Sequence, residues 1–346
     1  MAFIPEVVKK SVIIESLKES LISQGKVGDR YLWQSQKDDF IVTVRSDRLS
    51  VFDFVLPLEV PHKGAVLTAL PDFWERKISN KIKLSNHLAF SDFYPDQNMV
   101  KDLADIYHDI DLTRTIVVKR AEIMPYELIF RGHLGGSVWT SYQESQTVAG
   151  YRLPSGLHKW EKLNEPLFTP STKANEGHDV NISAMQFYDS TGELGIKTIE
   201  ILSKFYRLAY DYALSRGISI LDTKFEVGTI DGQLTLCDEW LTPDSSRYVY
   251  KDDLEMSIKN KTEPAFLDKQ PVREFCSTIK TPFKDKNGDY ITGLKDLDPE
   301  NADHQFFVAS YDYPLNIVTE TTERYLKIFK ILTGHSLFEY QHKYLL

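Results

Sequence analysis

Two cysteines, Cys237 and Cys276, are all that a chain of 346 residues contains. So few exclude a disulfide-built scaffold and a metal site made of thiolates. Long apolar runs are equally scarce, and none approaches the ~18 residues that a membrane-spanning helix needs. The stretch 1–11 lacks the basic-then-apolar pattern of a signal peptide, so a cytoplasmic protein with no membrane partner is expected. Positive charge is also in short supply. With 41 Lys and Arg against 50 Asp and Glu, the formal net charge is -9. That balance argues against nucleic acid as a partner, although a local basic cluster can still receive a small anion. No GxxxxGK[ST] phosphate loop and no internal repeat occurs anywhere in the chain.

What is present is ordinary globular material, 42% hydrophobic and 26% charged. The length exceeds the ~250–300 residues at which one core usually stops growing, so two lobes are expected. Residues 7–22 carry apolar positions at mixed helical spacing and predict a short helix. From 26 to 55 the pattern changes to short runs such as Phe40-Ile41-Val42-Thr43-Val44, which suit strands. Pro57, Pro61 and Gly64 interrupt, 65–79 returns to helical spacing, and 115–118 reads as a strand. A sheet-rich lobe over 1–121 follows, with a crossing at 121–124 into a larger lobe over 122–346. Segment 145–180, rich in Pro, Gly, Ser, Asn and Thr, predicts a long functional loop. A helix is expected over 198–216, closed by Gly217. Residues 218–239 predict a hairpin, and 280–312 a charged surface insertion. A closing helix over 319–332 ends before Gly334.

The hairpin carries the densest chemistry. Alternation in Ile220-Leu221-Asp222-Thr223-Lys224-Phe225-Glu226-Val227 puts Asp222, Lys224 and Glu226 on one face and Leu221, Thr223, Phe225 and Val227 on the other. Carboxylates on adjacent strands with a lysine between them suit Mg²⁺ and a phosphate. A solvent-facing charge ladder is the bland alternative. Register is the difficulty. Asp231-Gly232 signals a two-residue turn, which sets Glu226 opposite Cys237, whereas a shared face with Asp238 needs a three-residue connection or a bulge.

Five further stretches could meet substrate groups. Arg131-Gly132-His133-Leu134-Gly135-Gly136-Ser137 precedes a helical run, so Ser137 as N-cap would leave free N–H groups beside Arg131, or the stretch is an ordinary Gly-Ser helix cap with a surface arginine. Residues 169–179, with Lys173, His178 and Asp179, form a polar loop in which His178 could equally be a structural hydrogen-bond partner. Gly25-Lys26-Val27-Gly28-Asp29-Arg30 is a glycine-flanked strand start with two basic residues, suited to phosphate or to a plain solvated turn. Ser46-Asp47-Arg48-Leu49-Ser50-Val51-Phe52-Asp53 offers acids and hydroxyls, with helix capping as its ordinary role. Thr242-Pro243-Asp244-Ser245-Ser246-Arg247 is a turn ending in an arginine.

Taken in order, these stretches resemble the signatures of the SAICAR synthase family. They are joined by Lys63-Gly64, Phe73-Trp74, Pro166-Leu167-Phe168-Thr169-Pro170-Ser171-Thr172-Lys173, Glu176-Gly177-His178-Asp179 and Asp238-Glu239. The resemblance covers about residues 17–270 and resumes near 313–334. It implies an α+β fold, a small antiparallel-sheet lobe beside a larger α+β lobe, with ATP in the cleft between them as in kinases. It also implies ligation of L-aspartate to the carboxylate of an aminoimidazole ribotide, using ATP and Mg²⁺.

By motif, Lys26 would meet the nucleotide phosphates, and Val118, Ala121 and Ile123 the adenine. Glu226 and Asp238 would hold Mg²⁺. Arg131, Ser137 and Arg247 would bind the ribotide phosphate, with Asp47, Ser50 and Asp53 also on substrate. Asp222 and Lys224 would lie on the imidazole side, and Lys173, His178 and Asp179 on the substrate loop. The chain departs from the family at Gly28, where a basic residue is usual, at Val249 in Arg247-Tyr248-Val249, and in 280–312. Arg30, one pleat from Gly28, is expected to supply the missing charge. A small-molecule kinase using the same hairpin, or a nucleotide binder without turnover, are the rival readings. An amine requirement separates the first, and a turnover assay the second.

Overall fold

The computed structural model describes residues 3–9, 14–34, 39–78, 81–82, 84–88, 103, 105–173 and 180–346. The chain forms two compact units. Unit 1 comprises Met1–Ala69, Leu88–Arg120 and Asp268–Leu346; unit 2 comprises Leu70–His87 and Ala121–Leu267. The change of unit after Arg120 falls where a crossing was expected. The expected second lobe of 122–346 is too long, because Asp268–Leu346 returns to unit 1.

Apolar burial explains that return. Leu49, Val51, Phe54 and Leu56, on the hairpin strands Arg48–Val51 and Phe54–Glu59, share one core with Val272, Cys276, Leu294, Leu297 and Val308. At about 1.5–3 kcal/mol for each fully buried large side chain, this is a strong reason to fold back. Segment 280–312 is therefore no simple surface insertion. Its turn 286–289 is exposed, yet Leu294 and Leu297 lie in the core.

The larger sheet of unit 1 is antiparallel, in the order Leu21–Gln24, Gly28–Gln34, Asp39–Arg45, Thr115–Lys119. Tyr31, Val42, Val44 and Val117 line its buried face, against Ile14, Leu17 and Leu103. The helix expected over 7–22 is not formed as one element. Helix Glu6–Lys9 and a 3-10 turn Glu15–Ser20 are followed by the strand Leu21–Gln24. Pairing of Ser23 and Gln24 with Arg30 and Asp29 satisfies backbone groups that a lone short helix would expose.

Unit 2 is organised by one strand, Ile218–Ile230. Tyr126–His133, Gln233–Cys237, Ser246–Tyr250 and Glu122–Ile123 all pair with it, antiparallel. Leu221, Thr223, Phe225 and Val227 are buried to 1% exposure or less, so the apolar face is the core face expected. Segment 145–180 is more ordered than its composition suggests. It contains the strand Lys162–Phe168, paired with Tyr126–His133 across a register shift, and buries Leu167 and Phe168. Helix Ala184–Leu214 begins at a Ser183/Gln186 capping box, earlier than expected, and kinks at Gly192. Its Tyr206 hydroxyl donates to the Ile220 carbonyl at 2.6 Å, fixing helix to strand. Gly217 at φ 75 and Gly334 at φ 78 close their helices as expected. Among the described residues no helix is long and apolar enough to cross a membrane.

Candidate active site

The long strand of unit 2 carries opposite charges at two points. At Asp222 it pairs with Arg131 on one neighbour and Arg247 on the other. Both guanidiniums donate to one carboxylate oxygen, Arg131 Nη1 at 3.0 Å and Arg247 Nη1 at 2.5 Å, and Arg131 Nε also donates to the Thr169 hydroxyl at 2.9 Å. Burial lowers the Arg131 pKa, while Asp222 raises it and Arg247 lowers it further. An arginine stays charged regardless, so the three side chains leave one net positive charge in a buried place. Asp222 is thus brought to the arginines expected to bind phosphate.

Gly136 stands beside them at φ 63, and a Cβ on it would lie 2.9 Å from Arg247 Nη1. Gly136, not Ser137, is the N-cap, and Ser137 opens the helix Ser137–Ser145. The positive φ demands glycine at the cap, and the guanidinium lies close against it. Ser137 is exposed, and its hydroxyl is not spent on capping. First-turn N–H groups lack acceptors within their own helix, so this start faces an anion readily.

Two residues along the same face the sign reverses. Lys224 Nζ lies 2.6 Å from Glu127 and 3.6 Å from Glu226, and Lys173 Nζ donates to Glu226 at 2.5 Å. Burial would lower the Lys224 pKa, but Glu127, Glu226 and Asp238 outweigh it, and the ammonium is held above its ordinary range. Glu226 itself is 6% exposed, so the ladder does not face open solvent.

The hairpin connection is the two-residue one, with Ile230 paired to Gln233 and Glu226 to Cys237. The expected bulge is unnecessary. Asp238, just past the strand, takes φ 58, which turns the chain and leaves its charge acting on Lys224 and Cys237 together with that of Glu226. Burial and those two carboxylates push the Cys237 thiol up to about 12, so it is inert. Among the described residues no group of three or more His, Cys, Asp or Glu is arranged to hold a metal ion. Two hard carboxylates nevertheless fit Mg²⁺, which commonly binds one or two of them and completes its shell with water and substrate phosphates.

The remaining expected residues are placed as follows. Lys26 pairs with Asp53 in unit 1. Val118 is buried and paired with Ile41. Ala121 is half-buried, and Ile123 is 47% exposed beside Gly228. Asp47 accepts from the Gly64 N–H at 2.8 Å, at the start of helix Lys63–Ile78, and from Arg114 at 3.1 Å. That is the capping role its ordinary reading allowed. Ser50 is 8% exposed. His178 and Asp179 lie outside the described residues. Glu127 was missed, although Glu127, Arg131 and His133 alternate on one strand and so share a face.

The comparisons with known proteins agree with one another. The family model described as SAICAR synthetase matches residues 21–289. The phosphoribosylaminoimidazole-succinocarboxamide synthase of Thermodesulfovibrio yellowstonii is 37% identical over 330 residues, covering 94% of this chain and all of that protein. Its counterpart in Methylobacillus flagellatus is 39% identical over 325 residues, 93% of this chain and 96% of that one. Among solved structures, one described as SAICAR synthase superposes with a TM-score of 0.69 at 30% identity, covering 95% of this chain and 99% of its own. The Saccharomyces cerevisiae SAICAR synthase, complexed with SAICAR, gives 0.67 at 29% identity, over 97% and 98%. With the motifs, the paired charge sites and these likenesses together, the chain belongs to the SAICAR synthetase family.

Proposed function

We propose that this chain performs its family's reaction along the strand Ile218–Ile230. L-Aspartate is condensed with the carboxylate of 5-amino-1-(5-phosphoribosyl)imidazole-4-carboxylate, and ATP becomes ADP and phosphate. The observation that carries this reading is the reversal of charge along one rigid strand. Asp222, with its two arginines, and Glu226 are four residues apart, or roughly 13 Å at strand rise. A phosphorylated ribose bearing one small ring can bridge that span, phosphate at the cationic end and carboxylate toward the acidic end.

The chemistry needs such a division. A carboxylate oxygen is a poor leaving group until it is phosphorylated. Transfer of the terminal phosphoryl group from ATP makes an acyl phosphate. The aspartate amino group attacks its carbonyl carbon, the C–N bond forms, the C–O bond to phosphate breaks, and the amine loses a proton. The protein's work is mostly placement and charge neutralisation. Lys224, kept as an ammonium, serves as a fixed charge and not as a base. Lys173 faces the same carboxylate from the segment that leads into His178 and Asp179, which we assign to substrate. Glu226 and Asp238 would hold Mg²⁺, which when bound offsets the negative charge of the transferring phosphoryl group. Lys26 is assigned to the ATP phosphates, Val118, Ala121 and Ile123 to adenine, and Ser50 and Asp53 to substrate.

Arg247→Ala tests the cationic end. Loss of one charged donor to phosphate should raise the ribotide KM on the order of 10- to 100-fold and leave the ATP KM nearly unchanged. An equal rise in both would contradict the partition.

A further inference from the structure

Beneath the cationic site lies Trp160, to which neither the motifs nor the proposed reaction give a role. Its backbone has φ 65, a left-handed conformation that a bulky aromatic residue rarely adopts. Local structure holds it there. The Trp160 N–H donates to the Leu134 carbonyl at 2.7 Å. Its own carbonyl oxygen accepts from His133 Nδ1 at 2.9 Å. A carbonyl can only accept, so His133 is the Nδ1–H tautomer, and its Nε2 accepts from the Tyr210 hydroxyl at 3.1 Å. Burial first of all lowers the His133 pKa to about 4, which keeps that tautomer neutral near pH 7. The indole Nε1–H donates to Glu263 at 2.6 Å.

The ring itself is 3% exposed and packs with Leu221, Val249, Leu254 and Phe266. It also reaches the two parts of the anion site. A Cβ on Gly135 would lie 1.9 Å from the ring, so the glycine backbone rests directly on the indole. The Arg247 guanidinium carbon is 5.9 Å from the ring centroid, within cation–π range.

We propose that Trp160 is a positioning residue for the ribotide phosphate. One indole face sets the height of the Gly135-Gly136 backbone at the helix start and steadies the Arg247 guanidinium, so that both meet the same phosphate. The arrangement tunes affinity for the phosphorylated substrate and touches neither ATP nor aspartate. This inference rests on the assignment of Arg247 to phosphate. It also explains the strained backbone, which a plain core tryptophan would not require.

A double-mutant cycle tests it, with Trp160→Leu, Arg247→Ala and the pair, measuring KM for each of the three substrates and the melting temperature. Trp160→Leu keeps an apolar side chain but removes the ring face, and should raise the ribotide KM on the order of 10-fold. The ATP and aspartate KM values should stay within about twofold. Trp160→Phe should recover most of the loss. In the double variant the ribotide KM should rise by clearly less than the product of the two single effects, since the part of the Trp160 effect that runs through Arg247 is already lost. A lowered melting temperature with no selective KM change, or fully additive effects, would overturn the proposal. Should Trp160→Leu not fold, Glu263→Ala, at an exposed anchor of the indole N–H, replaces it in the cycle, with a ribotide KM rise of about threefold expected, again non-additive. If Arg247→Ala itself leaves the ribotide KM unmoved, the phosphate assignment fails and this inference falls with it. If only the Trp160 and Glu263 variants are silent, the assignment stands and the positioning role is lost.

Discussion

Asp238 lies one residue beyond the last strand pair at φ 58, where few residues other than glycine and asparagine settle without cost. That single angle lets two carboxylates from a tight two-residue hairpin act on one lysine. Asparagine tolerates the same backbone region and has nearly the same shape, so Asp238→Asn isolates the charge. Turnover should fall on the order of 100-fold, with more Mg²⁺ needed for half-maximal rate and a nearly unchanged melting temperature. An unaltered Mg²⁺ dependence would remove Asp238 from the proposed metal site. Residues of this kind were legible as types, because acids alternate with a lysine on a recognisable strand. The positive φ was not, since nothing in Cys237-Asp238-Glu239 signals a left-handed residue. Glu127 was overlooked for a different reason. Its face is shared with Arg131 and His133, but a lone glutamate after Pro125 reads as surface until Lys224 is placed beside it.

Among the elements, the strand Ile218–Ile230 was readable because its alternation is strict and Asp231-Gly232 marks its turn. Both dihedrals there are positive, φ 52 and φ 73, as a two-residue hairpin turn demands. Strand Lys162–Phe168 was hidden by Pro166 and by polar neighbours, which lower strand propensity without preventing pairing at an edge. The glycine at 28 is decided at this scale too. It is buried on the strand Gly28–Gln34, and a Cβ there would lie 2.5 Å from the Val44 carbonyl oxygen of the adjoining strand. Arg30, on the same face one pleat away, is exposed. Gly28→Lys, which restores the charge usual in the family, should therefore destabilise the fold by about 1–3 kcal/mol without tightening ATP. Arg30→Ala should weaken ATP several-fold and flatten its salt dependence. A stable Gly28→Lys variant with tighter ATP binding would refute the steric account, and an unchanged ATP affinity in Arg30→Ala would return Arg30 to the plain surface.

For the whole molecule, the partition of the chain is only half visible in the sequence. The crossing near Ala121 showed as a proline-bounded change of texture. The return of Asp268–Leu346 to unit 1 did not, because it depends on dispersed residues such as Leu294, Val308 and Ile317, whose core partners on the hairpin Arg48–Glu59 lie more than 200 positions earlier. The chain belongs to a ligase family, and its proposed chemistry rests on the charges along the strand Ile218–Ile230. A ligase and a small-molecule kinase would both use a nucleotide, a divalent cation and the same hairpin, and they part at the amine. The direct measurement is steady-state ADP release with ribotide and L-aspartate each omitted in turn. Sustained release only when both are present, with succinocarboxamide formed one for one with ADP, is the predicted result. Undiminished multiple turnover without aspartate, leaving a phosphorylated product, would contradict it.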